Sequence, residues 1–594
     1  MKILGIHDIH NASAAIMING KVTAALSEER CTYRKNEMGF PKLAIEKCLE
    51  IAGIKSSEID LVAFSTKAVP PHYLKFKREF AFSIRDWLDE QEFYWKPKLF
   101  HGKTDFIEYF ERLASQPKFN EENWYDFTNF KLNPNSTENA VSQLRNLREK
   151  ALIHYFGIPS EKITCFDHHS CHSHYAYFAS PYRNEPAIIF TADGGGDGCN
   201  GTLSIVENDK IREIARNNQT DLARIYRYIT LILGMKIGEH EFKVMGLAPY
   251  SSAYEIAKTD KVFKDLFHVP DMMIEYKKRP KDLFFHFRDA LADCRFDGIA
   301  GGVQQMVEEY AVEWFSKVTE KVGINRIVFS GGLSMNVKLN QRIVELDSVK
   351  EFYVPASGGD ESLCVGACYA AASQNPQTSP IGHFRNNYQG GEISNDQILE
   401  AFNKVKNASV MEGISNQGVA ELIAEGMVVG RCSGPMEFGA RALGNRSIIA
   451  DPRQTETVTR INQKIKFRDF WMPFAPSVLE SRVSDYLINP GNHTSDHMTL
   501  TFDVTEEGKA ALKAALHPSD QTVRAQIVTQ ENNQDYYSLI EAFEKVTGVG
   551  ALLNTSFNLH GYPIVAKAEH LVHVFENSEL DAIVAGDILL KRDS

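Results

Sequence analysis

The chain has 594 residues, 43% of them hydrophobic and 24% charged, with a formal net charge of -12. That balance excludes a disordered or fibrous chain, and the length calls for two large domains or several small ones. An acidic far field repels polyanions, so a nucleic-acid partner is not expected.

The start, MKILGIHDIH, lacks the apolar core of a signal peptide, and no apolar run reaches membrane-spanning length. A cytoplasmic protein without a membrane partner is therefore predicted. Nine cysteines without a CxxC pair indicate reduced thiols. The first predicted element is a strand, KILGIHD. A hairpin follows, in which SAAIMI and KVTAALSEE flank Asn19-Gly20, a pair that tolerates positive φ. Residues 66–140 are rich in aromatics and charge and are predicted to be a mostly helical insertion.

Residues 166–180, FDHHSCHSHYAYFAS, place four histidines in seven positions. Read as a helix over 168–179, the stretch sets His168 and His172 one turn apart on one face, while His169 and His174 point elsewhere. Cys171 is expected to pack as a small apolar residue. The next segment, PAIIFTADGGGDGCNGTLSIVENDKIREI, repeats the opening order of strand, small-residue loop and hairpin. Its first strand ends at Asp193 and its polar turn is Asn208-Asp209, which predicts a duplicated α/β module with a cleft between the halves. In INRIVFSGGLSMNVKLNQRIVE a strand runs into Gly331-Gly332 and then a helix. Glycines there admit phosphate to backbone N-H groups, and three such loops together favour a nucleotide over ordinary strand-to-helix turns.

Two imidazoles do not fill a metal site. Asp360, in YVPASGGDESLCVGAC, is a candidate third ligand, and the set suits iron(II) or zinc with positions open for substrate. Spacing alone leaves this reading and a chance pairing of capping or surface histidines both open. After VGACYAAASQNPQTSPIGHFRNNYQGG the apolar pattern lapses, so domains of 1–395 and 396–594 are predicted. The second carries Arg441, Arg446, Lys466 and Arg524 among small and apolar residues, where a cation is costly unless it meets an anion. NTSFN adds Asn554, Ser556 and Asn558 as neutral donors, for a triphosphate or carbamoyl phosphate. Ion pairs with Glu437 or Asp451 are the alternative for a minority of these cations.

HHSCH, FSGGLSMN, GGDESLCVGA, HNASAA and EERCTYRKNEMGFP resemble the O-carbamoyltransferases of antibiotic and nodulation-factor biosynthesis, over nearly the whole chain. The resemblance implies a duplicated actin- and sugar-kinase-like α/β domain followed by a YrdC-like α/β domain. It implies iron at His168, His172 and Asp360, acceptor contacts at Asp8 and Lys35, and a two-step reaction. Carbamoyl phosphate and ATP, with Mg2+, would give carbamoyl-adenylate in the second domain, and the first would transfer the carbamoyl group to a hydroxyl of a small natural product or sugar. His10, at the first strand's end, is the candidate base, its ordinary pKa lying near working pH. Asp193, Lys243, Gly331, Gly332 and Asn336 are the candidate adenylate contacts in the first domain. Met472 stands where relatives commonly have arginine, which puts one phosphate contact in doubt. A homodimer follows by analogy. The competing readings are a tRNA-modifying threonylcarbamoyl enzyme, which the acidic balance disfavours, a metal-dependent small-molecule kinase, and a silent ATP-binding regulator.

Overall fold

The computed structural model describes residues 1–102, 107–119, 123–128, 130, 137–378, 380–384 and 386–593. The chain forms two compact units, Met1–Thr32 with Asn36–Arg385, and Tyr33–Lys35 with Asn386–Ser594.

In the first unit β1 (Lys2–His7), β2 (Ser13–Ile18) and β3 (Lys21–Ser27) make an antiparallel meander. Beside β1, in parallel, lie β4 (Leu61–Phe64) and then β5 (Ile163–Cys165). The arrangement returns with β6 (Ala187–Gly196), β7 (Cys199–Glu207) and β8 (Lys210–Asn217). A short ladder of β9 (Phe267–His268) and β10 (Glu275–Tyr276) follows, after which β11 (Arg326–Ser330) and β12 (Glu351–Tyr353) join β6 in parallel. The two five-stranded orders, β3-β2-β1-β4-β5 and β8-β7-β6-β11-β12, are the same topology, so the module is duplicated as the sequence predicts. Both meanders turn on left-handed pairs, Asn19 and Gly20 at φ 49° and 78°, and Asn208 and Asp209 at φ 51° and 60°.

The helix His168–Ala179 and the helix Leu363–Ser373 run against each other behind these sheets. Their approach is main chain to main chain. A Cβ on Gly366 would lie 2.1 Å from the Cys171 carbonyl oxygen, and one on Gly5 of β1 2.0 Å from that of Cys364. Cys171, Cys364 and Cys368 are fully buried in this layer and all nine cysteines are free thiols. Burial pushes the Cys171 thiol far above its ordinary range, which makes it a packing group.

Between β4 and β5 the described chain forms short helices, including Pro71–Lys75, Arg78–Ala81, Ile84–Glu90 and Ile107–Ala114, and ends in the long helix Thr137–Phe156. Of this segment, residues 103–106, 120–122, 129 and 131–136 lie outside the described residues. Phe76, Phe82, Trp87, Tyr94 and Phe110 bury themselves with Leu231, Ile237, Phe284 and Phe285, fastening this segment to the unit's second half.

The second unit is built on one mixed sheet. Its strands are β13 (Ala408–Glu412), β14 (Val429–Cys432), β15 (Arg446–Ala450), β16 (Ala475–Leu479), β19 (Gln526–Val528), β20 (Ala551–Ser556), β21 (Ala582–Ala585) and β22 (Ile588–Arg592), with β17 (Leu487–Ile488) and β18 (Asp503–Val504) in a separate ladder. The order is β13-β22-β21-β14-β15-β20-β16-β19. Alternate residues of β15 feed opposite faces. Ile448 joins the core under the helices Asn395–Phe402 and Ala568–Glu576, and Ile449 joins the core under Asn416–Ala424 and Gln534–Thr547. The unit begins at Asn386, ten residues before the predicted boundary. A Gly/Asn-bearing stretch without apolar period reads as linker, yet its main chain is paired: Phe438 N donates to Asn387 O (2.7 Å) and Gly390 N to Met436 O (2.9 Å). Among the described residues no helix is long and apolar enough to cross a membrane.

Candidate functional site

Asp167 caps the histidine helix by accepting from Ser170 N at 3.0 Å, which fixes the first turn and with it His168 and His172. Asp360 arrives from the turn that opens the helix Leu363–Ser373, and Asp193 from the exposed end of β6. The four side chains converge. His168 Nε2 stands 3.1 Å from Asp193 Oδ2 and 3.7 Å from Asp360 Oδ1, and His172 Nε2 is 3.5 and 3.6 Å from the same two atoms. One ligand atom from each residue lies within 4.8 Å of the others. The pairing at the His172 nitrogen is too long for a good hydrogen bond, and this buried atom has no hydrogen-bond partner. Atoms about 2.1 Å from a shared cation sit roughly 3.0–3.5 Å apart, and the nitrogen–oxygen separations here, 3.1 to 3.7 Å, lie at or slightly beyond that. The donor set of two imidazoles and two carboxylates therefore fits a divalent cation.

The electrostatics agree. Burial pulls His168 down, but Asp360, then Asp193 and Asp197, outweigh it and lift the group to about 9. His172 is likewise raised against burial by Asp193 and Asp360. Burial pushes Asp193 up, and the two imidazoles carry it well below the carboxylate range. For Asp360, burial and Asp193 push up, while His168, His172 and His7 hold it below. Two carboxylates here ask for two positive charges, which two imidazolium protons or one divalent cation supply alike. His7, 3.9 Å from Asp360, is held near 4 by burial and stays neutral. His169 is turned to Thr191 Oγ1 (2.7 Å), and His174 to the Ser170 carbonyl (2.7 Å), as the helical reading expects.

Asp193 was expected among adenylate contacts, and its geometry places it in the histidine cluster instead. The glycines after it do not form an open loop, since β6 runs on through Gly196. A Cβ at Gly196 would lie 2.2 Å from the His168 ring, so the missing side chain makes room for the imidazole. The tip of this hairpin, Asp197 (φ 51°), accepts from His168 N (2.9 Å), Thr66 Oγ1 (2.9 Å) and Ala68 N (2.8 Å). Gly331 (φ 91°) lies against the Ala192 main chain, and a Cβ on Gly332 would be 2.9 Å from Asp193 Oδ1, so both glycines border the cluster. Lys243 is buried on the helix Glu241–Leu247. Asn336 caps the helix Val337–Val344 through Leu339 N (3.0 Å) and exchanges hydrogen bonds with Gln304.

His10 and Asp8 part company. The His7 ring is 2.9 Å from the His10 carbonyl, and the His10 imidazole faces Gly238 and Glu79: a Cβ on Gly238 would be 3.7 Å from His10 Nε2 and 3.5 Å from Glu79 Oε2. Asp8 is fully buried and occupied. Arg148 donates to both its oxygens at 2.8 and 2.7 Å, and Tyr125 O-H donates at 2.5 Å, so it is a structural carboxylate rather than an acceptor contact. Burial pushes Asp8 up, but Arg148 and then Tyr125 hold it below its ordinary value. Its stabilisation is present above the unfolded value near 3.9 and is lost as pH falls through the folded one. Asp8→Ala is expected to remove about 3–5 kcal/mol by stranding Arg148. Urea midpoints measured from pH 7 to 3 should show that loss and a shallower acid decline than the parent.

In the second unit Lys466 closes the turn Ile461–Lys466, and Phe467 beyond it is left-handed (φ 46°). The ammonium donates to Ser556 O and Oγ and to Asn558 O (2.9 Å) and Oδ1, all neutral acceptors. Burial, then Arg468 and Lys35, hold Lys466 well below its ordinary range. Burial also lowers Arg468, to about 10, and lowers Arg524, to which Arg441 and Arg468 add. Among the described residues no carboxylate offsets Lys466 or Arg524. Asn554 lies deeper, donating to Ser477 Oγ at 3.0 Å. Arg446 is fully buried and donates to the carbonyls of Gly434 (3.0 Å), Asn445 (2.9 Å) and Gly391 (3.3 Å), while its Nε has no hydrogen-bond partner among the described residues. Lys35, which the resemblance makes an acceptor contact, belongs to this unit. Glu437 caps Leu443 N and Arg446 N, and Asp451 pairs with Arg453, so neither pairs with the cations named above. Sequence reading missed Arg468, which lies two residues from Lys466 in KFRDF. It also missed Arg148, for which the sequence carries no local signal.

Comparison with known proteins gives these sites their setting. Residues 2–369 match the carbamoyltransferase N-terminus family and residues 420–592 the carbamoyltransferase C-terminus family. The chain belongs to the carbamoyltransferase family and is a carbamoyltransferase. It is 30% identical to an uncharacterized protein of Methanocaldococcus jannaschii, with 99% of each chain covered. To nodulation protein NolNO of Sinorhizobium fredii it is 28% identical, over 98% of this chain and 79% of that one. A solved structure, the Acidaminococcus fermentans (R)-2-hydroxyglutaryl-CoA dehydratase component A, is 14% identical with a TM-score of 0.32, covering 63% of this chain and 99% of that one. Similarity at that level is too low to bear on function.

Proposed function

We propose that the protein is an ATP-dependent O-carbamoyltransferase. The second unit, a YrdC-like domain, makes carbamoyl-adenylate from carbamoyl phosphate, ATP and one water, with Mg2+: water takes the phosphoryl group of carbamoyl phosphate, releasing phosphate, and the carbamate oxygen bonds to the α-phosphorus of ATP as pyrophosphate leaves. The first, an actin- and sugar-kinase-like domain, passes the carbamoyl group to a hydroxyl of a small natural product or sugar. The observation that supports this division is the second unit's cluster of Lys466, Arg468, Arg524 and Arg441. Lys466, lowered by burial and Arg468, and Arg524, lowered by burial, Arg441 and Arg468, suit a polyphosphate, and Ser556, Asn558 and Asn554 add neutral groups around it.

In the first unit His168, His172, Asp193 and Asp360 would hold iron(II), or zinc, which when bound supplies Lewis-acid polarisation to the carbamoyl carbonyl. His10 takes the proton of the acceptor hydroxyl as its oxygen bonds to the carbamoyl carbon and AMP leaves. Gly331, Gly332 and Lys243 are the groups offered to the adenylate. The test is product analysis. With ATP and carbamoyl phosphate, pyrophosphate should appear and should depend on carbamoyl phosphate. ADP release in its place overturns the proposal in favour of a kinase, and threonine-dependent adenylate formation with labelling of tRNA overturns it in favour of a tRNA-modifying enzyme.

A further inference from the structure

Asn554 is 1% exposed on β20, and only one end of its amide is used. The nitrogen, Nδ2, donates to Ser477 Oγ (3.0 Å), to the Ala442 carbonyl (3.3 Å) and to Gln526 Oε1 (3.3 Å). A main-chain carbonyl can only accept, so the Ala442 contact fixes which end of the amide is the nitrogen. Gln526 is fixed in the same way, since its Nε2 donates to the Leu443 carbonyl (3.1 Å) while its Oε1 accepts from Ser477 Oγ (2.8 Å). What remains is Asn554 Oδ1, a buried oxygen with no hydrogen-bond partner among the described residues. A buried acceptor in that state is costly until a donor reaches it.

The placement of this oxygen says which donor. Side chains alternate along a strand, so Asn554 and Ser556 share one face of β20, roughly 7 Å apart. Ser556 Oγ is 3.2 Å from Lys466 Nζ. Arg524 stands two residues before Gln526, and its Nε, like Arg468 Nη2, is a buried nitrogen without a partner among the described residues. The unused groups are thus of opposite kinds, guanidinium donors and an amide acceptor. A phosphate oxygen answers the donors but would meet Oδ1 acceptor to acceptor. Carbamoyl phosphate answers both, because its amino group is only three bonds from phosphorus, whereas the amino group of ATP lies on the adenine, at the far end from the phosphates.

We propose that Asn554 Oδ1 accepts a hydrogen bond from the amino group of carbamoyl phosphate, and that this contact selects carbamoyl phosphate over other acyl phosphates. The proposal rests on the reading of the second unit as the adenylate-forming one, and it replaces the donor role that sequence assigns to Asn554.

The test is pyrophosphate release by the full chain from ATP and carbamoyl phosphate, with acetyl phosphate as competitor. Acetyl phosphate carries a methyl group where carbamoyl phosphate carries the amino group. In the parent its inhibition constant should exceed the KM of carbamoyl phosphate by about tenfold or more. Asn554→Ala, and Asn554→Ser, which keeps a hydroxyl for Ser477 and Gln526, should each raise the KM of carbamoyl phosphate about tenfold. In both variants the inhibition constant of acetyl phosphate and the calorimetric affinity for ATP should stay within about threefold of the parent. A parent that holds the two acyl phosphates equally overturns the inference, needs no variant to fold, and leaves the reading of the unit standing. Loss of ATP affinity in both variants with the KM of carbamoyl phosphate unchanged also overturns it, assigning Oδ1 to the nucleoside. A parent that releases no pyrophosphate overturns both.

Discussion

Asp193→Ala should leave the protein without bound metal and slow carbamoyl transfer by about a thousandfold, while pyrophosphate release continues at the parental rate. The reasoning is geometric. Asp193 Oδ2 is the atom nearest His168 Nε2 and also faces His172, so its removal opens one side of the only four-residue cluster of this kind among the described residues. Asp193→Asn should match it for metal, because an amide lacks the charge that balances a divalent cation. Elemental analysis after dialysis reads the first effect, and separate assays for pyrophosphate and for carbamoylated product read the second. A variant that keeps one equivalent of metal and loses only nucleotide affinity would return Asp193 to the adenylate contact that its strand-end position suggests.

Lys466→Met should do the reverse. It should reduce pyrophosphate formation by about a thousandfold and leave metal content unchanged. It should also alter the dependence of stability on pH. The folded-state pKa of Lys466 lies well below its unfolded value near 10.4, with burial the chief cause, so between those values the unfolded chain binds more protons. Stability contributed by this residue therefore rises with pH across that window. The methionine variant should lack the rise, and urea midpoints at several pH values up to 10 would show it. An unchanged slope would mean that Lys466 is solvated and is not the penalised cation that the site requires.

The parts of the fold that sequence discloses are those decided locally. Period-two apolar runs and the pairs Asn19-Gly20 and Asn208-Asp209 disclose both meanders, because turn chemistry and alternation act over a few residues. The one-turn spacing of His168 and His172 was visible for the same reason. Asp360 is legible as a carboxylate following the end of a strand, and the structure brings it to the two histidines. The fates of Asp8 and Asp193 were not visible. Asp8 is claimed by Arg148, 140 positions away, and by Tyr125 from the segment between β4 and β5. Asp193 and its glycines looked like a phosphate loop, whereas Gly196 is small because a ring fills the space beside it. Arg446 and Lys466 both stand out in sequence as cations of the second domain. In the structure both donate to carbonyls, Arg446 to those of Gly434, Asn445 and Gly391 and Lys466 to those of Ser556 and Asn558. What sets Lys466 apart is Arg468, whose charge lowers its pKa.

The hairpin tip at Asp197 has a mechanical consequence. It belongs to the second of the two repeated sheets, yet its carboxylate fastens the chain leaving β4 of the first sheet and the opening turn of the histidine helix. A single carboxylate thus ties the two sheets together at a point beside His168, so the position of that imidazole depends on both halves of the duplicated module.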